Sequence, residues 1–158
     1  MKVMLPRAYL TDRQLEIWRL LQRHPSKAEI GRRLGVTRQA VHDAEGIITP
    51  KVDGALQHAA DANMLDVLYV DSSKGVLLGY SPSAKERVIV TFSATNGVQT
   101  WHYQQPDCGV CEWVDRCRDR LIREAAERDV NLPEDMTNVP PSKLAHHIFS
   151  QIIPELST

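Results

Sequence analysis

The sequence predicts an α+β fold: an N-terminal helix-turn-helix bundle, then a four-stranded antiparallel sheet with C-terminal helices and a cysteine cluster. Three observations carry this. Two capped helical segments meet at a glycine, Gly35. The spacing of apolar residues changes from a helical period to alternation at Leu65. Three cysteines, Cys108, Cys111 and Cys117, fall close together near the end of the last strand.

The first helix opens at Thr11, where Gln14 completes a capping box. Leu15, Trp18 and Leu21 or Gln22 follow at helical spacing until His24-Pro25 stops the run. Trp18 is expected to anchor a three-helix core against Ile30 and Val41. Ser26 and Glu29 form a second capping box, so the next helix starts at about Lys27. Ile30 and Leu34 share a face, and Gly35 can take the left-handed conformation that ends a helix. Val36 is expected to pack beneath the turn, Thr37 to act as the next N-cap, and Val41 and Ala44 to give the following helix a buried stripe. Gly31 lies where the helices would cross, and a large side chain there would hold them apart.

Arg38, Gln39, His42 and Asp43 are then left facing outward, and these are types that reach phosphates or base edges. Ser26, Lys27, Arg32, Arg33 and Thr37 complete the expected DNA-binding set, with Arg13, Arg19 and Arg23 as further candidates for the phosphate backbone. Thr49-Pro50 reads as the start of a separate helix carrying Val52, Leu56, Ala59 or Ala60, and Asn63. Being weakly apolar, that helix would pack on the next module or on a copy of itself, so a homodimer is expected.

The segments Leu10 to Ile17 and Ala28 to Val41 resemble the archaeal Tfx-like DNA-binding proteins. They are also similar to the promoter-binding helix-turn-helix of sigma factors and to the LuxR-type module. The resemblance spans residues 10 to 63 and implies a transcription regulator whose residues after Gly35 enter the major groove of double-stranded DNA. The chain departs from the family pattern at Gly46 and Pro50, where the pattern has an unbroken helix.

Charge is polarised along the chain. Residues 1 to 42 carry nine Lys or Arg against three Asp or Glu, a net of +6, whereas residues 64 to 158 carry nine against thirteen, a net of −4. A basic N-terminal part would meet phosphate while the acidic remainder is held off it, and the binding would weaken with salt. No stretch approaches a membrane span and the N-terminus lacks the pattern of a signal peptide, so a cytoplasmic protein without a membrane partner is expected.

From Leu65 the alternation continues to Val70, and Asp71 to Gly75 turns into Val76 to Tyr80. A polar link at Ser81 to Lys85 leads to Val88 to Phe92, and Asn96-Gly97 turns into Val98 to Tyr103. Four strands with short links imply an antiparallel sheet with one covered face. The strands carry no glycine-rich phosphate loop and no paired carboxylates at a catalytic spacing, so no enzyme is expected.

Cys108 and Cys111 can close a knuckle on one metal ion, and Cys117 can return from the first turn of the next helix. Zinc would need a fourth ligand from His102, Asp107, His146 or His147. His102 is preferred because its strand leads into the knuckle. An iron–sulfur cluster is the alternative metal group, and a redox disulfide or inert thiols are the alternatives without metal. Cys117 also sits on an apolar stripe with Val114, Leu121 and Ala125, on a helix expected over about Glu112 to Arg128 that would form a lid for the sheet. Ser142 is expected to cap a last helix with Leu144, Ile148, Phe149 and Ile152 on its apolar face, and His146 and His147 are expected at the surface.

The expected organisation is therefore a DNA-binding unit over residues 1–63 and a sensing or oligomerisation unit over residues 64–158. The expected function is a sequence-specific transcriptional regulator with a metal-stabilised or sensing C-terminal half and an unidentified small-molecule effector. The alternative is a helix-turn-helix for protein or RNA contacts beside a redox or metal sensor.

Overall fold

A computed structural model describes residues 9–23, 26–102, 108 and 110–157. Helices α1 (Asp12–Gln22), α2 (Lys27–Leu34) and α3 (Arg38–Ala62) precede strands β1 (Asp66–Asp71), β2 (Val76–Ser81), β3 (Glu86–Ser93) and β4 (Gly97–His102). Helices α4 (Val114–Glu127) and α5 (Pro141–Phe149) follow, with 3-10 turns at Glu134–Met136 and Pro154–Leu156. The architecture is α+β, as the sequence predicts. The expected stop at His24-Pro25, Tyr103 and the candidate ligand Asp107 lie outside the described residues.

The strands form an antiparallel meander in the order β1-β2-β3-β4, with Val76 opposite Thr91 and Val88 opposite His102. The sheet is covered on both faces, not one. Leu77, Val88, Val90 and Phe92 join a core with Trp18 of α1 and Ile48, Val52 and Leu56 of α3. Val76, Leu78, Ile89 and Trp101 join a second core with Leu121 of α4 and Leu144, Ile148 and Phe149 of α5. The reason is legible in β2 and β3, whose apolar runs leave few polar positions for a solvated face. Edge strand β1 is mostly exposed and bulges between Val67 and Tyr69.

Helix α3 runs unbroken from Arg38 to Ala62, through Thr49 and Pro50, so the separate helix expected to start there does not exist. A proline within a helix removes one hydrogen bond and crowds the carbonyl four residues earlier. Here that residue is Gly46, and both Gly46 and Pro50 are exposed, so the freed carbonyl can bond to water. Across the same stretch Val41, Ile48, Val52, Leu56 and Ala60 form one continuous buried stripe, whose packing offsets the local cost. The helix ends where Met64 takes φ 51° and the Leu65 N–H bonds back to the Ala60 carbonyl at 2.9 Å.

Trp18 packs on the sheet instead of on Ile30 and Val41. Its ring meets Phe92 edge-on, with centroids 5.4 Å apart at 83°, and its Nε1 donates to Glu127 Oε1 at 3.2 Å. Gly75, with φ 65°, lies beneath it: a Cβ there would stand 2.7 Å from the Phe92 carbonyl oxygen and 2.9 Å from Trp18 Cζ2. Glu127 also accepts from Ser93 Oγ at 2.5 Å and from the Ala94 N–H at 2.7 Å.

One helical turn away, Glu124 accepts from Thr91 Oγ1 at 3.1 Å and from Arg128 Nε at 3.0 Å. Arg128 extends the bonding to the carbonyls of Lys74, Gly75 and Phe92. These charged groups at the C-terminal end of α4 are buried against the sheet. They are tolerated because each is paired or hydrogen-bonded.

At the start of α5, Pro140 and Pro141 replace the expected Ser142 cap, since the fixed φ of proline suits the first helical position.

Burial pushes the Glu124 carboxyl above the ordinary carboxylate range and Glu127 adds to this, outweighing the opposing pull of Arg128. A carboxyl with a raised folded-state pKa favours the folded state most when protonated. Its contribution is therefore full below the unfolded-state value and is lost as pH rises through the folded-state value. Denaturant melts across pH should show the wild type losing stability relative to Glu124→Gln as pH climbs through that window. A constant difference would contradict the assignment.

Candidate nucleic-acid interface and cysteine cavity

Local chemistry fixes the turn between α2 and α3. Ser26 Oγ accepts from the Glu29 N–H at 3.1 Å, but Glu29 gives its carboxylate to Arg33 at 2.8 Å, so the expected capping box is made in one direction only. Gly35 takes φ 67° and ends α2, and Thr37 Oγ1 accepts from the Ala40 N–H at 3.0 Å to begin α3. Gly31 is in close backbone contact with the turn: a Cβ would stand 2.6 Å from the Val36 carbonyl oxygen and 3.3 Å from the Arg38 nitrogen. Because the turn closes through backbone atoms at this point, Val36 is left 38% exposed instead of packing beneath it.

The first turns of α3 present Thr37, Arg38, Gln39 and His42 to solvent. Gln39 Nε2 donates to Asp43 Oδ1 at 2.9 Å, an intrahelical pair that holds the amide on the exposed face. Lys27 bridges α2 to α3, with Nζ 2.9 Å from His42 Nδ1 and 3.5 Å from Glu45 Oε2. Arg32 and Arg38 are exposed, and neither makes a hydrogen bond or ion pair among the described residues.

The other arginines have different positions. Arg13 pairs with Glu16 at 3.0 Å and donates to the Leu34 carbonyl at 3.2 Å, tying α1 to the end of α2. Arg19 and Arg23 turn toward the sheet and α4, donating to the carbonyls of Ala94 and Ala126 at 3.5 and 3.3 Å.

The structure brings Cys108, Cys111, Cys117 and His102 to the lining of one cavity of about 110 Å³, with Trp101, Val114, Pro141, Ser142 and Ala145. Among the described residues, no three His, Cys, Asp or Glu side chains converge tightly enough to form a metal-holding group. All three cysteines are free thiols. Burial raises the Cys117 thiol pKa, and neighbouring Cys111 raises it further, against a lowering by Arg120.

His102 Nδ1 is engaged by Glu86, an ion pair if the ring is protonated. This contact directs the other ring nitrogen away from Glu86, as a carboxylate bonded to a histidine ligand does. His146 is exposed, whereas His147 is half-buried and its Nε2 is a buried nitrogen without a partner among the described residues. Sequence reasoning missed the Glu124–Arg128 and Glu127 bonding, because spacing alone cannot say which charged residues of α4 face the sheet.

Among the described residues, no helix is long and apolar enough to cross a membrane. No protein-family model, curated protein or solved structure matches the chain.

The contact at Gly31 yields a direct test. Gly31→Leu should lower the thermal midpoint and disorder the α2–α3 turn, read as collapsed amide dispersion for residues 26–45. An unchanged spectrum and midpoint would show that the helices do not close at this position.

Proposed function

We propose that the protein is a sequence-specific DNA-binding transcriptional regulator that reads the major groove with the N-terminal turns of α3. The observation that carries this reading is the exposure of Arg38, Gln39 and His42 on the helix that follows a glycine-closed turn. Those side chains supply a guanidinium, an amide and an imidazole where base edges would lie. Arg32 is a ready phosphate contact, and Arg33, Lys27, Ser26 and Thr37 border the same turn. The net +6 of residues 1 to 42 supplies the attraction to the duplex. The resemblance of residues 10 to 63 to the archaeal Tfx-like proteins points the same way.

The chain is read as a binding protein and not an enzyme, acting in the cytoplasm. Its operator is addressed by a homodimer, because two-fold sites are read by two-fold proteins. The cysteine cavity is the place proposed for zinc: Cys108, Cys111 and Cys117 would supply thiolates and His102, held by Glu86 at its other ring nitrogen, the fourth ligand, and the four, which line one cavity without converging, would have to draw together on the ion. A bound ion would brace the end of β4 against the start of α4, and thiolate ligation also suits an iron–sulfur cluster as the alternative group.

Binding to a selected duplex and to random duplex separates the roles. Arg38→Ala and Gln39→Ala should each cost about 1–3 kcal/mol on the selected site and relax its specificity, while Arg32→Ala should weaken both duplexes alike and flatten the salt dependence. Equal losses on both duplexes for all three variants would remove the groove assignment.

Elemental analysis of protein purified without added metal should find zinc at about one ion per chain, lost in Cys111→Ala. Freely titrating thiols with neither zinc nor iron present would exclude the metal.

A further inference from the structure

We propose that the cavity walled by Arg19, Arg23 and Arg123 binds the phosphate group of a small phosphorylated ligand. The cavity measures about 210 Å³ and is completed by Thr95, Ala126 and Glu127. Arg19 and Arg23 stand one helical turn apart and face the cavity from the C-terminal end of α1. Arg123 comes from α4, and Thr95 from the turn between β3 and β4. No lining residue belongs to α2 or α3, so the inference stands apart from the DNA reading.

Three features distinguish this cluster from an ordinary solvated arginine face. First, the carboxylates that would neutralise it are occupied. Glu16, one turn from Arg19, is paired with Arg13 at 3.0 Å, and Glu127 accepts from Trp18, Ser93, Ala94 and Thr95. Among the described residues that line the cavity, three guanidinium groups and one carboxylate give a formal +2. That complements a phosphate monoester, which carries about −1.5 to −2 near neutral pH.

Second, long contacts from Arg19 to the Ala94 carbonyl at 3.5 Å and from Arg23 to the Ala126 carbonyl at 3.3 Å orient two of the guanidinium groups while using one nitrogen of each. The remaining N–H groups stay available, and a pre-positioned fork loses little freedom when it grips an oxyanion. Third, Arg123 has no hydrogen bond or ion pair among the described residues, and the Thr95 hydroxyl adds a neutral donor at the rim. A cavity of this size can enclose a phosphate group, and none of its lining belongs to the helices proposed to meet the duplex. A ligand here would touch α1, the β3–β4 turn and α4 together.

The test titrates the full-length chain with inorganic phosphate at constant ionic strength, with chloride as the balancing salt, following heat of binding and the thermal midpoint. Saturable binding with a rising midpoint is expected. Arg19→Gln and Arg123→Gln should each weaken it about tenfold or more, and Arg123→Gln, whose side chain is exposed and makes no bond among the described residues, should leave the phosphate-free midpoint unchanged. A response no greater than that to chloride, or wild-type phosphate binding in both variants, would overturn the proposal. Loss of duplex-DNA affinity in the same variants would also overturn the small-ligand assignment, giving the arginines to the nucleic-acid backbone.

Discussion

The carboxylate of Glu127 holds the layers of this protein together. It accepts the indole N–H of Trp18 from the N-terminal helices and the Ser93 hydroxyl and Ala94 N–H from the end of β3, while its own backbone belongs to α4. A buried carboxylate is costly unless its lone pairs are filled, and here donors on one helix and one strand fill them together. The neighbouring Glu124–Arg128 pair repeats the arrangement, fastening α4 to Thr91 and to the backbone of the β1–β2 turn and β3. Directional bonds of this kind select one seating of the helix where apolar contact alone would accept several.

Trp18 shows how the same region serves packing. Its ring edge on Phe92 and its contact with Gly75 bring α1 down onto the sheet, so the helix-turn-helix segment and the sheet share a core. The exposed first turn of α3 therefore belongs to a helix whose later turns, Val52 to Ala60, are buried with the strands.

What could be read from the sequence was local. Thr11 with Gln14, the Gly35 turn, the Thr37 cap and the Asn96-Gly97 hairpin are written in short-range chemistry, and each element they delimit is present. The outward position of Arg38, Gln39 and His42 followed from helical periodicity once the buried stripe was fixed. Tertiary choices were not legible. Pro50 reads as a helix start until the unbroken apolar stripe on both sides of it is weighed against a single lost hydrogen bond. The second covered face of the sheet, the destination of Trp18 and the inward turn of Glu124, Glu127 and Arg128 all depend on which layers meet, which no local spacing encodes. Arg19 and Arg23 look like any exposed helical arginines in sequence, and only the approach of α4 gives them a shared cavity with Arg123.

The continuity of α3 across Pro50 has a mechanical result. At 1.5 Å per residue its twenty-five residues span about 37 Å, with one end clamped by the strands and the other free of them. Such a rod is a lever: tilting the clamped end by about 5° would carry the Arg38 end sideways by roughly 3 Å. A slight reseating of one layer against another would thus reach the Arg38 end of the helix as a shift the width of an atom, without any hinge in between.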